Sequence, residues 1–126
     1  MNGFKKPDQI APEDMDLAAH IHTELGCKDP LTLKFIHAVL VAVRIFDYKQ
    51  QRYGPNNIAA FGEKGVLVRL HDKLARLIHL DKTGQEPQDE TRDDSWGDTA
   101  VYAVIALMCR WGWWPGVAGA AARKPE

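Results

Sequence analysis

The residues best suited to chemistry are three acids spaced four apart, Glu90, Asp94 and Asp98, in the stretch DETRDDSWGDTAVYAVIALM. At about 100° per residue, a helix carries all three on one face, in line with Val101, Ile105 and Met108. Carboxylates in line with core residues need a cation, a partner side chain or water, because an unpaired buried charge is costly. A hard divalent ion meets that need. Mg²⁺ takes carboxylate oxygens and keeps places for water and for substrate phosphates, and acids at i and i+4 reach one ion together or bridge two. Spacing alone also accommodates acids that enrich the first turns of a helix and face solvent, where the dipole favours them. Asp98 fits that alternative least, because it lies more than two turns in.

A second group lies in GVLVRLHDKLARLIHL, residues 65–80, where Arg69, Asp72, Lys73 and Arg76 fall on the side away from the leucines. One reading is a solvated face of ion pairs, each contributing ~0.3–0.5 kcal/mol. The other is a cleft wall. Asp72 would then ligate metal while Lys73 and Arg76 meet triphosphate oxygens, a task suited to the planar fork of arginine. Asp47 ends a third apolar line, ahead of Tyr48, Lys49, Arg52 and Tyr53. It reads either as a plain helix end or as a metal ligand or general base, with Tyr48 or Tyr53 stacking on a nucleobase. The five histidines form no metal pattern and read as structural or surface groups. The sequence carries no P-loop, no glycine-rich dinucleotide turn and no Ser/His/Asp or Cys/His arrangement.

These groups must be positioned by helices. Pro12 with Glu13 and Asp14 opens a first helix that Gly26 ends. Asp29-Pro30 opens a second, to about Arg52, with Leu33, Ile36, Leu40 and Val43 as its apolar face. Gly54-Pro55-Asn56-Asn57 breaks the chain. A third helix is expected from Glu63 to Leu80 with Leu67, Leu70, Leu74, Leu77 and Ile78 as its core stripe. A fourth is expected from Glu90 to Trp111, capped by Asp89. No strand or repeat is apparent. The expectation is an all-α, four-to-five-helix bundle, one domain over 1–114 with a flexible tail at 115–126, preceded by a loose arm at 1–11.

With 45 % hydrophobic and 26 % charged residues, the composition is that of an ordinary globular chain. A net charge of −1 gives no basic surface for nucleic acid, and no direct binding to it is expected. The most apolar stretch, Thr99 to Cys109, ends at Arg110. It is about half the ~20 residues of a bilayer span, so no membrane is expected. MNGFKKPDQI lacks the apolar centre of a signal peptide. Cys27 and Cys109 form no CxxC pair and read as free thiols in a reducing cytoplasm.

The run DKLARLIHL (72–80), a short loop, and then E-x3-D-x3-D-x3-Y (Glu90, Asp94, Asp98, Tyr102) resemble the MazG-like all-α nucleoside triphosphate pyrophosphohydrolases. The nearest type is the small phage members associated with nucleotide modification. The resemblance covers roughly residues 44 to 110 and includes Asp47-Tyr48 with Tyr53-Gly54 displaced. It implies a homodimer or homotetramer and Mg²⁺, with Mn²⁺ as a substitute. It also implies water attack on the α-phosphorus of a nucleoside triphosphate, a purine deoxynucleotide such as dGTP or dATP in a phage nucleotide pool. By position, Asp98 matches the acid before the apolar stretch. Asp94 stands near the first acid of the ExxD pair, with Ser95 at the family's spacing, and Asp72 stands in the EExxE region.

The resemblance thus makes Asp72, Asp94 and Asp98 the catalytic residues. Asp47, Asp72, Glu90, Asp94 and Asp98 are the metal ligands, and Lys49, Tyr53, Arg69, Lys73, Arg76 and Tyr102 the substrate contacts. The sequence departs from the pattern in having no EExxE, in Lys73 and Arg76 at its other positions, in Val101 where the family has asparagine, and in Gly97 within the helix. Two other functions stand beside hydrolysis. One is a nucleotide-binding relative without turnover. The other is a helical interaction module using Trp111, Trp113 and Trp114.

Overall fold

A computed structural model describes residues 3, 4 and 12–120. Among these residues the chain is all-helical. The elements are α1 (Pro12–Glu24), α2 (Pro30–Tyr53), the single turn α3 (Asn56–Ala59), α4 (Gly62–Thr83) and α5 (Arg92–Arg110). None is long and apolar enough to cross a membrane.

Local chemistry explains each boundary. Gly26, Gly54 and Gly84 end α1, α2 and α4 at positive φ, 69°, 69° and 68°, which glycine adopts without a Cβ penalty, and Gly84 is a left-handed cap. Asp29 caps α2 by accepting a 2.8 Å hydrogen bond from the Leu31 amide. The chain reversal before it is held by His22 Nε2 against the Asp29 carbonyl at 2.9 Å. The α1–α2 hairpin is then locked by a bidentate pair, the Arg44 guanidinium donating to both oxygens of buried Asp14.

The start of α5 differs from the sequence expectation. Thr91, not Asp89, is the cap. Its hydroxyl accepts from the Asp94 amide, and the Asp94 carboxylate accepts from the Thr91 amide, a reciprocal capping box. Glu90 has φ 46° and stands outside the helix. The expected line of three acids on one helix face therefore contains only Asp94 and Asp98.

Helices α4 and α5 form the main packed pair, and α2 and α3 join it at one end. The core there is Ile58, Val66, Ile105, Cys109 and Trp114, flanked by Phe46, Val101, Tyr102 and Val117. Trp114 is the anchor: its indole N–H donates to the Pro55 carbonyl at 3.1 Å, and Phe46 meets its ring edge-on at 6.0 Å. The segment beyond Trp114, expected as tail, is packed as far as it is described, since Val117 joins this core. Residues 121–126 of that tail, and most of the arm at 1–11, lie outside the described residues.

The buried stripes are rotated from those expected. On α4, Val66, Leu77 and Leu80 are buried, while Leu67, Leu74 and Ile78 are exposed. On α2, Ile36 and Ile45 are buried and Val43 is exposed. Helical periodicity identifies an apolar arc, but the neighbour decides which edge of a wide arc is covered.

Candidate functional site

Asp98 sits where α2, α4 and α5 meet. Its side chain is 15 % exposed, and the cations expected for an acid in line with core residues are supplied by two other helices. Lys49 of α2 stands 3.3 Å from Oδ1, and Lys73 of α4 stands 3.0 Å from Oδ2. Lys73 also pairs with the Glu90 carboxylate, so one ammonium joins two acids. Burial alone would depress the Lys73 ammonium, but its hydrogen bonds to Glu90 and Asp98 outweigh this and hold its pKa above the ordinary lysine value. The bond from Lys73 holds Glu90 below the usual carboxylate range.

Arg76, one turn along α4, donates to the Glu90 carbonyl at 2.7 Å. This bond steadies a left-handed backbone that a non-glycine residue adopts only at a cost.

Two clefts open on either side of Asp98 and share it with Lys49. The first, about 260 Å³, has an aromatic and aliphatic wall from Phe46, Tyr53, Val101 and Tyr102, and a polar wall from Lys49, Asn57, Arg69 and Asp98. The second, about 340 Å³, is lined by charge: Lys49 and Lys73 against Glu90, Asp94 and Asp98, with Gly3, Phe4 and Ile45 closing one side. One cleft suits a flat apolar ring with polar edges. The other suits a cation or a charged group.

The expected site residues divide accordingly. Lys49, Tyr53, Arg69, Tyr102 and Asp98 come together in the first cleft, and Lys49, Lys73, Glu90, Asp94 and Asp98 in the second. Arg76 acts from behind, on the backbone of residues 89 and 90. Asp72 is exposed and lies outside both linings. Asp47 is also exposed and outside them, and accepts from Gln51 Nε2 at 2.7 Å. Asp94 is near the centre, but both its oxygens are engaged. Oδ2 accepts from the Thr91 amide at 3.0 Å and hydroxyl at 3.1 Å, and Oδ1 accepts from the Phe4 amide at 2.9 Å.

The sequence reading did not find Phe4, Phe46, Gln50 or Asn57. Gly97 carried a signal for Phe4, since a glycine inside a helix marks a close approach.

Among the described residues, no three His, Cys, Asp or Glu side chains gather to hold a metal ion. Two carboxylates do converge on one cation, the Lys73 ammonium between Glu90 and Asp98. Hard oxygens meeting at a positive centre are the donor set that Mg²⁺ uses, since it is commonly held by one or two carboxylates, waters and substrate phosphate. In comparisons with known proteins, no family model, no curated protein and no solved structure matches this chain.

Proposed function

We propose that the chain is a Mg²⁺-dependent nucleoside triphosphate pyrophosphohydrolase. The observation that supports this is the junction at Asp98 and Lys49 of an aromatic-walled cleft with an acid-lined one. A nucleoside fits the first, with Tyr53 and Tyr102 against the base or sugar and Asn57 as a polar edge. The phosphates then run past Lys49 and Arg69 towards Lys73. Glu90 and Asp98 would hold the ion, which when bound neutralises phosphate charge and lowers the pKa of a coordinated water. In the reaction, water oxygen bonds to the α-phosphorus and the bond to the α–β bridging oxygen breaks. Pyrophosphate departs with the bridging oxygen, and a carboxylate of the charged cleft that does not ligate the ion would take the water proton.

A second reading is a nucleotide-binding relative without turnover. It is favoured by the commitment of Asp94 to its capping box, which leaves fewer free carboxylates than the hydrolytic reading expects. One assay separates them. Each dNTP is incubated with the protein and Mg²⁺, and pyrophosphate is scored against orthophosphate. Pyrophosphate release that disappears in Asp98→Asn supports hydrolysis. A nucleotide-dependent rise in Tm without release supports binding alone. No response to any nucleotide sinks both.

A further inference from the structure

We infer that the outer face of α5 is a self-association surface, on which a second copy of this chain docks its own α5 in the antiparallel direction. Three features of that face support this.

First, Asp93, Trp96, Ala100, Ala103, Leu107 and Arg110 follow one another at alternating steps of three and four, and all six are exposed. That spacing is the repeat of a helix that pairs with another helix. The line lies on the opposite side of α5 from Asp98, Ile105 and Cys109, which face the rest of the fold. Its four central residues are uncharged, and Trp96 is 61 % exposed. A contiguous bare apolar strip of this kind marks an interaction site.

Second, the line is palindromic in size and charge. It reads acid, bulky, small, small, bulky, base. About a two-fold axis between residues 101 and 102, Ala100 faces the partner's Ala103, Trp96 faces the partner's Leu107, and Asp93 faces the partner's Arg110. The central alanines let the two helix axes come close, because interaxial distance follows the side chains at the contact. Among the described residues Asp93 has no ion-pair partner. Arg110 meets Glu63 through Nη1 alone, which leaves guanidinium donors for the partner's Asp93. An unrelated partner would not require this end-to-end symmetry, whereas a two-fold interface between identical chains does.

Third, α4 supplies the breadth. One helix face falls short of the ~800 Å² per partner that a standard interface buries. Helix α4 runs antiparallel beside α5, with Glu63 against Arg110 at one end and Leu80 against Arg92 at the other. It carries a second exposed line, Leu67, Leu74 and Ile78. On each helix the exposed line lies beyond the α4–α5 contact from the residues that face α2 and α3, Arg69 on α4 and Val101 on α5. Both lines are therefore on the side of the pair turned away from α2, and a second α4–α5 pair would complete a four-helix layer.

The test uses the full chain in sedimentation velocity. The wild type is expected to sediment as a dimer. Ala100→Glu puts a charge at the centre of the line and is expected to weaken the dimer at least tenfold. Alanine and glutamate are both strong helix formers, so α5 itself is expected to persist, which circular dichroism checks. A monomeric wild type, or a dimer that Ala100→Glu leaves unchanged, overturns the inference.

A cross-linking experiment fixes the register and covers an Ala100→Glu chain that fails to fold. Ala100→Cys and Ala103→Cys are each made with Cys27→Ser, since Cys109 is buried. Under mild oxidation, a mixture of the two chains is expected to form a disulfide-linked dimer at least tenfold faster than either chain alone, because only the mixed pair brings two thiols face to face. Equal rates in the mixture and in the separate chains overturn the inference.

Discussion

The ring of Phe4 fills the space that a side chain at position 97 would need, since a Cβ on Gly97 would lie 2.1 Å from Phe4 Cδ2. Glycine in a helix interior costs about 1 kcal/mol relative to alanine, so α5 gives up intrinsic stability to admit this ring. The coupling is measurable by a double-mutant cycle. Gly97→Ala alone is expected to destabilise the protein or leave it unchanged, as the ring is displaced. In a Phe4→Ala background the same change is expected to stabilise by about 1 kcal/mol, a coupling of about 1–2 kcal/mol. Additive effects in urea unfolding would show that the ring does not rest on Gly97 in solution.

The all-α character, the long helices and the stops near Gly26 and Gly54 were legible in the sequence, whereas α4 runs past the expected end at Leu80 to Thr83, before Gly84. The meeting of Asp98 with a cation was also foreseeable from its alignment with Val101 and Ile105. What remained hidden depends on neighbours. Nothing local states that Lys73, rather than Asp72 one position before it, faces α5, because that follows from how α4 is rotated in its packing. The role of Asp94 was ambiguous because a helix of this sequence can start at Glu90 or at Arg92, and only the second start makes it a capping residue.

Asp94 and Asp98 are therefore expected to behave differently. Thr91→Ala and Asp94→Ala each remove part of the capping box and are expected to cost about 1 kcal/mol. They should change stability together and non-additively. Asp98→Asn keeps an acceptor for Lys73 and is expected to cost less than that. In the proposed reaction it should lower turnover at least 100-fold. Thermal unfolding and pyrophosphate release measured on the same samples separate the two roles. A large stability loss in Asp98→Asn, with activity falling only in proportion to the folded fraction, would make Asp98 structural.

The three tryptophans near the end of α5 are also expected to divide. Trp114 is buried and donates to Pro55, whereas Trp111 and Trp113 form an exposed edge-to-face pair with ring centroids 5.0 Å apart. Trp114→Phe removes the donor and leaves the Pro55 carbonyl without it, costing about 1–3 kcal/mol. Trp114→Ala also opens a cavity and is expected to cost about 3–5 kcal/mol. Trp111→Ala and Trp113→Ala should each fall within about 0.5 kcal/mol of the wild type. A concentration-dependent Tm that either exposed change abolishes would show instead that a second subunit covers them.

The Asp14–Arg44 pair makes the α1–α2 hairpin sensitive to acid. The hydrogen bond from Arg44 holds the Asp14 carboxyl below its ordinary value, against the opposing effect of burial. A carboxyl depressed in the folded state contributes stability that is present above its unfolded pKa and is lost as pH falls through the folded one. Wild type and Asp14→Asn should therefore differ most near neutral pH. The gap between their urea midpoints should narrow as pH falls below the ordinary aspartate range and close once Asp14 is protonated in both states. Arg44→Gln should remove the same pH-dependent part. It should also leave Asp14 buried without its main partner, so it is expected to destabilise more than Asp14→Asn at neutral pH. A gap that stays constant down to about pH 2 would mean that the pair does not hold the carboxyl in its charged form.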